Sequence, residues 1–364
     1  MWREDIPTTT IRSKPEDTGT TEIQGEKIPG GAEAVESVET APVTTSGHRV
    51  LKLSDIAGRE SGGLMVLLVA VGALTLASEE FLTAGNLSNL ARQVAIFGIL
   101  AVGQLLVILT SGIDLSVGSV LGLSGAVTAQ LLVAGWPVPV AIVVGILLGG
   151  GLGLVNGLLV TKAKLPPFIA TLGMLGIARG AVLVITKANT IQPLPAGFQK
   201  IANGTFLGIP NLLIIAAVVT VAVHFVLTRT VFGRYIYAVG SNPESARLAG
   251  VPVRLVLVSV YAICSRLAGL GGVLLASRLG AGIPTAGTGF ELQAIAACVI
   301  GGASLFGAKG SALGAAAGAL IMGVLTNGGN LLNIQAFYLQ IAIGVLILVA
   351  VGFDQLNSRS SAHS

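Results

Sequence analysis

From residue 61 onward, long apolar runs alternate with short polar connections. About ten such runs, most of them roughly 17 to 23 residues long, fall near 61–78, 91–110, 115–134, 138–160, 168–186, 210–227, 254–276, 291–303, 312–327 and 337–352. A run of that length crosses the hydrocarbon core of a bilayer as a helix, because a helix satisfies its own backbone hydrogen bonds where there is no water. The pattern therefore predicts an all-α, polytopic membrane protein with about ten transmembrane helices. Lys162, Lys164, the stretch 229–254, Lys309 and Arg359 fall on one side of this count, and Glu79, Glu80, Lys187, Lys200 and Arg278 on the other. Since basic residues collect on the cytoplasmic side, both termini are expected in the cytoplasm.

Composition agrees: 53% of residues are hydrophobic, 10% are charged, and Gly numbers 50. The formal charge of +4 does not point to nucleic acid, because the basic residues sit mostly in loops that orient the chain in a membrane. Cys264 and Cys298 lie inside apolar runs and read as small buried hydrophobes; neither they nor the dispersed His48, His224 and His363 suggest a disulfide framework or a metal site. Residues 1–60 differ from the rest: rich in Thr, Glu, Pro and Gly, they read as a disordered cytoplasmic tail, with Arg49, Lys52 and Arg59 holding it inside. The division expected is a tail over 1–60, a transmembrane domain over 61–353 and a short cytoplasmic tail over 354–364. No charged segment followed by an apolar one stands near Met1, so the first run is expected to stay as an anchor.

Within the 138–160 run, Gly145, Gly149, Gly153 and Gly157 recur every four residues, a smooth stripe against which another helix can pack closely. Polar groups at membrane depth are costly and mark pathways or partners. Asp114 and Ser116 lie in TSGIDLSVGS, where bracketing glycines can break the helix and present a carboxylate and hydroxyls to a cavity. The alternative is a tight turn in which Asp114 caps the next helix. Thr171, Glu291, Gln293 and Asn327 are further candidates for a path, although Glu291 also suits a first-turn acid facing a helix dipole. Arg179 and Arg266, inside apolar runs, must pair, snorkel or face water. The connection 187–209 can form a small cap or an extended loop.

One polar island interrupts this pattern. The stretch 232–254, FGRYIYAVGSNPESARLAGVPVR, carries Arg234, Glu244, Arg247 and Arg254, and a short helix fits behind the turn signal Ser241-Asn242-Pro243. It reads either as a docking handle for a partner outside the bilayer or as an ordinary orienting loop. No nucleophile with a base, paired carboxylates or metal-ligand spacing occurs, and the segment GASLFGAK (302–309) lacks the lysine placement of a phosphate loop. Any energy for transport must then come from a partner or an ion gradient.

Four ordered blocks resemble the inner-membrane permeases of carbohydrate ATP-binding-cassette importers of the ribose, xylose, arabinose and galactoside type. They are TSGIDLSVGSVLGLSG (110–125), LPPFIATLGMLGIARG (165–180), FGRYIYAVGSNPESARLAGV (232–251), and GFELQAIAACVIGGASLFGAKGS with GALIMGVLTNG (289–311 and 318–328). The resemblance implies a pore subunit of a bacterial inner membrane that carries no enzyme activity. It implies a second permease subunit, a cytoplasmic ATPase holding ATP and magnesium, and an extracytoplasmic sugar-binding protein, with no cofactor on this chain. It makes the 232–254 loop the coupling element, through Gly240, Asn242, Glu244, Ser245, Ala246, Arg247 and Gly250. The family's Glu-Ala-Ala core reads Glu244-Ser245-Ala246 here, and Gln293 stands where a shorter Asp or Asn is common. A branched-chain amino-acid or nucleoside permease of related architecture, and an ion-gradient-driven transporter, are the alternatives.

Overall fold

The computed structural model describes residue 65 and residues 67–360. The expected tail over 1–60, its orienting basic residues and the last four residues lie outside that range. A helix stands on each of the apolar runs: α1 (Leu67–Ala77), α2 (Ala84–Leu109), α3 (Val117–Val133), α4 (Val138–Thr161), α5 (Pro167–Thr186), α7 (Asn211–Arg229), α10 (Val253–Leu279), α11 (Phe290–Ile300), α12 (Ala312–Leu331) and α13 (Ala336–Ser360). Between them lie α6 (Ala196–Asn203), a two-stranded antiparallel hairpin of β1 (Thr205–Phe206) and β2 (Ile209–Pro210), α8 (Val231–Ser241) and α9 (Pro243–Leu248). Among the described residues six helices, α2, α4, α5, α7, α10 and α12, have the length and apolar character to cross a membrane, and α1, α3, α11 and part of α13 are shorter apolar helices. The last helix runs on to Ser360, past the end of its apolar run, since no proline interrupts the polar residues that follow.

α2 is the centre of the bundle. Every residue from Ala95 to Leu109 is buried, which suits a helix apolar on all sides. α7, α10, α11 and α12 surround it. The outer helices keep apolar faces exposed, as at Val143, Leu147 and Leu154 on α4 and Val218, Val221 and Phe225 on α7, the surface expected of helices that meet lipid.

α4 lies along α10 on its glycines. A Cβ at Gly149 would stand 2.5 Å from the Ser265 carbonyl oxygen, one at Gly157 2.7 Å from Val258 Cα, and one at Gly153 would strike the Tyr261 carbonyl. Gly145 faces Thr128 and Val273. With no side chain at these positions the backbones approach closely, and dispersion contacts hold the pair where lipid offers no hydrophobic drive. Gly314 and Gly318 serve the same contact between α12 and α11, against Gly301 and Ala297.

The 187–209 connection is folded. Its helix α6 buries Phe198 and Ala202 and is tied to the last turns of α10: the Ser277 hydroxyl donates to the Phe198 carbonyl at 2.6 Å and accepts from the Ala202 N–H at 3.2 Å. Ile191 and Gly282 exchange both backbone bonds at 2.9 Å.

Candidate functional site

After Leu109 the chain leaves the helix. Ser111 takes a left-handed φ of 59°, and the chain stays irregular until α3 begins at Val117. An irregular backbone in the interior must find partners for its N–H and C=O groups, and side chains from α5 and α2 supply some of them. The Thr171 hydroxyl on α5 donates to the Ile113 carbonyl at 3.1 Å. Gln104 on α2, with its amide in the orientation that satisfies both ends, pairs with both backbone groups of Asp114: its nitrogen donates to the carbonyl at 3.1 Å and its oxygen accepts from the N–H at 3.2 Å. A neighbouring strand would make the same two bonds.

The Asp114 carboxylate sits at the centre. Its Oδ1 accepts from the Ser116 N–H at 2.8 Å and the Ser116 hydroxyl at 2.6 Å, and its Oδ2 from the Ser265 hydroxyl at 3.4 Å. Asn156 Nδ2 on α4 donates to the Ser116 hydroxyl oxygen at 3.0 Å. Gln104, Asp114, Ser116, Asn156, Thr171 and Ser265 are all fully buried, and Ser265 stands midway along α10. Two further polar atoms of the interior, Asn156 Oδ1 and the Tyr261 hydroxyl, have no hydrogen-bond partner among the described residues. The Tyr261 ring is admitted because Gly112 beneath it lacks a side chain: a Cβ there would lie 2.6 Å from the Tyr261 hydroxyl oxygen. No salt bridge to Asp114 occurs among the described residues. The result is an enclosed cluster of one carboxylate, several hydroxyls and two amides. This is the donor and acceptor set that neutral polyhydroxylated molecules can exchange with. A cavity of about 420 Å³ between α1, α12 and α13 lies apart from it, lined by apolar residues such as Leu74, Gly328, Leu339 and Leu346.

The remaining path candidates are dispersed. Glu291 opens α11; its Oε1 accepts from the Gly289 N–H at 3.2 Å, while Oε2, packed on Gly118, is buried without a hydrogen-bond partner among the described residues. Arg179 Nη1 donates to the carbonyls of Pro284 and Ala286, both at 3.0 Å, so this cation is satisfied largely by backbone. Asn327 pairs reciprocally with Asn86 on α2, at 2.8 and 3.1 Å, and joins α12 to α2 rather than facing Asp114. Gln293 is half-buried on α11. Arg266 is exposed on α10 beside Gly150. Among the described residues no cluster of three or more His, Cys, Asp or Glu could hold a metal ion.

The polar island 232–254 forms the second locus. Asn242 caps α9, its side-chain oxygen accepting from the N–H groups of Glu244 and Ser245 at 3.0 and 2.9 Å. Ala246 is buried, whereas Glu244, Ser245, Arg247 and Leu248 are exposed, so α9 presents one face outward. Arg247 is hydrogen-bonded to Glu244 and holds its carboxyl below the usual carboxylate range, while Glu244 raises the guanidinium in turn. Gly250, at φ 83°, ends the element in a conformation that favours glycine. Gly240, in the last turn of α8, packs directly on the Leu109 carbonyl, and the Ser111 hydroxyl lies between the carbonyls of Phe306 at 2.8 Å and Gly240 at 3.2 Å.

The fold brings together Asp114, Ser116 and Thr171, three of the path candidates legible in the sequence, and adds Gln104, Asn156, Tyr261 and Ser265, which no sequence motif marks. The available signal was an isolated amide inside an apolar run, costly unless it has a partner.

The family model described as branched-chain amino acid transport system / permease component matches residues 86–351. The ribose import permease protein of Escherichia coli (strain K12) is 42% identical over 318 residues, covering 85% of this chain and 98% of the relative. That of Bacillus subtilis (strain 168) is 45% identical over 298 residues, 81% of this chain and 92% of the relative. The D-allose transport system permease protein of Escherichia coli (strain K12) is 41% identical over 297 residues, 81% and 91%. No solved structure matches the chain.

Proposed function

Since the chain belongs to the branched-chain amino acid transport system / permease component family, we propose that it is the pore subunit of an ATP-binding-cassette importer that moves a monosaccharide across the bacterial inner membrane. The observation that carries this reading is the 42% identity to a ribose import permease over 98% of that relative. ATP hydrolysis lies on a partner ATPase, and sugar arrives from an extracytoplasmic binding protein. A second permease subunit, identical or related, completes the pore. All ten apolar helices cross the bilayer in this reading and both termini are cytoplasmic, so that α8 and α9 face the ATPase and α6 with its hairpin faces the binding protein; 1–60 is a cytoplasmic tail. α9 is the coupling helix, with Glu244, Ser245 and Arg247 on its outer face, Asn242 capping it, Ala246 anchoring it, and Gly240 and Gly250 shaping its entry and exit.

The translocation path runs by the cluster at Asp114, Ser116 and Thr171, with Glu291, Gln293 and Asn327 on the approach to it. The same groups favour a neutral sugar over the amino acids named in the family description. A zwitterion brings a carboxylate, which needs a free cation in the path. Arg179 already serves two carbonyls and Arg266 faces outward on α10.

The test is uptake of labelled pentoses and hexoses into proteoliposomes that hold this chain with its ATPase and binding protein. ATP-dependent accumulation of a pentose or hexose is the expected result. Uptake that proceeds without any ATPase, or of an amino acid alone, overturns the reading.

A further inference from the structure

Ser111 ties together three elements that are distant in sequence. Its hydroxyl proton is shared between the carbonyls of Phe306, in the loop between α11 and α12, and Gly240, in the last turn of α8. The same contact is reinforced on both sides. The Ala308 N–H donates to the Leu109 carbonyl at 3.0 Å, and the Tyr237 hydroxyl on α8 donates to the Gly310 carbonyl at 2.8 Å. Gly240 is what allows the approach, because a Cβ there would collide with the backbone of Leu109 and lie 2.8 Å from the Ala308 nitrogen. On the other side α8 passes directly into α9: the Asn242 N–H closes the last bond of α8, and the Asn242 side chain caps α9. The two short helices therefore share a capping residue, Asn242.

Beyond Ser111, in the other direction, three residues lead to Asp114. They reach at most about 10 Å, so the chain has little freedom to absorb a displacement of α8. Ile113 and Asp114 are held in turn by Thr171 and Gln104, the residues that frame the polar cluster. We propose that the segment from Ser111 to Ser116 is a connecting rod, in which Ser111 and Gly240 are positioning residues that convert movement of α9 into rearrangement of the cluster around Asp114. The inference rests on α9 being the ATPase-facing element. It adds that the movement enters the membrane through the end of α2 and the start of α3 rather than through α10, the helix that follows α9 in sequence.

The experiment uses the full complex with ATPase and binding protein in proteoliposomes, comparing Ser111→Ala with Ser111→Gly. Both remove the hydroxyl, but glycine accepts the left-handed φ without strain, so agreement between them isolates the hydroxyl from the backbone. In both, ATP hydrolysis continues to respond to sugar-loaded binding protein, and sugar imported per ATP falls about tenfold, the scale of one lost hydrogen bond. An unchanged ratio in either variant overturns the relay. A second measurement needs no substitution: hydrogen exchange of the unaltered chain, with and without trapped ATP. Exchange at 111–116 and at 237–241 changes together if the rod transmits; change at 237–241 alone overturns it. An Arg247→Glu variant separates the two levels. If it imports sugar at the unaltered rate, the premise about α9 fails; if it loses uptake while the Ser111 variants keep theirs, the relay alone fails.

Discussion

Asn156 on α4 donates its side-chain amide to the Ser116 hydroxyl at 3.0 Å, across 40 positions of sequence. This bond joins the glycine-faced helix to the carboxylate cluster, and Asn156 Oδ1 remains unpaired among the described residues. Replacing Asn156 with Leu removes one donor to a hydroxyl that still bonds Asp114. The expected loss of stability is about 1 kcal/mol, with sugar uptake falling further than the folded fraction. Thermal unfolding in detergent, measured beside initial uptake rates, checks this. An uptake loss that merely follows the unfolding curve counts against a place in the path.

Asp114→Ala and Asp114→Asn separate structure from transport at the centre of the cluster. Alanine leaves the Ser116 N–H, the Ser116 hydroxyl and the Ser265 hydroxyl without their acceptor, and is expected to destabilise the chain by about 1–3 kcal/mol. Asparagine keeps one carbonyl acceptor and is expected to fold nearly as well while importing less sugar. Normal uptake in a well-inserted Asp114→Ala chain removes Asp114 from the path.

Two glycines of α4 give a paired packing test. Gly149→Ala forces a methyl group against the Ser265 carbonyl and the Gly269 backbone, and is expected to cost about 1–3 kcal/mol. Gly151→Ala, two residues on, meets nothing within 4 Å and replaces a helix-interior glycine with the better helix former. Chemical unfolding should separate the two variants, and equal stabilities contradict the close α4–α10 contact.

On α9 the sign of the pH effect follows from the pair. The Glu244 carboxyl is lowered by its hydrogen bond and charge contact with Arg247, so the support it lends α9 is present above its ordinary titration range and is lost as pH falls through its lowered value. Exposure keeps that support small. Carboxylate NMR of an isotope-labelled chain should find Glu244 titrating below an ordinary glutamate, and Arg247→Ala should return it upward. Glu244→Lys with Arg247→Glu should abolish ATP-driven uptake with insertion intact; persistence of uptake argues that α9 only orients the chain.

The helices were legible because uninterrupted apolar runs leave few other structures for a chain in lipid. The family was legible in four ordered blocks, and the start of α9 in Asn242-Pro243. The cluster was half legible: Asp114 and Ser116 stand in a glycine-bracketed break that advertises itself. Gln104, Asn156 and Ser265 come from three separate helices, and nothing local in an apolar helix tells which face an isolated polar residue takes. Asn327 shows the converse, a polar residue at a helix end that finds its partner in Asn86.

Gln104 has a consequence for heredity. A side chain that stands in for a missing strand must offer a donor and an acceptor at one fixed reach, and among the twenty residues few can. In a library saturating codon 104, import-competent cells should retain glutamine almost alone, while lipid-facing codons such as 147 and 154 should drift freely among apolar residues.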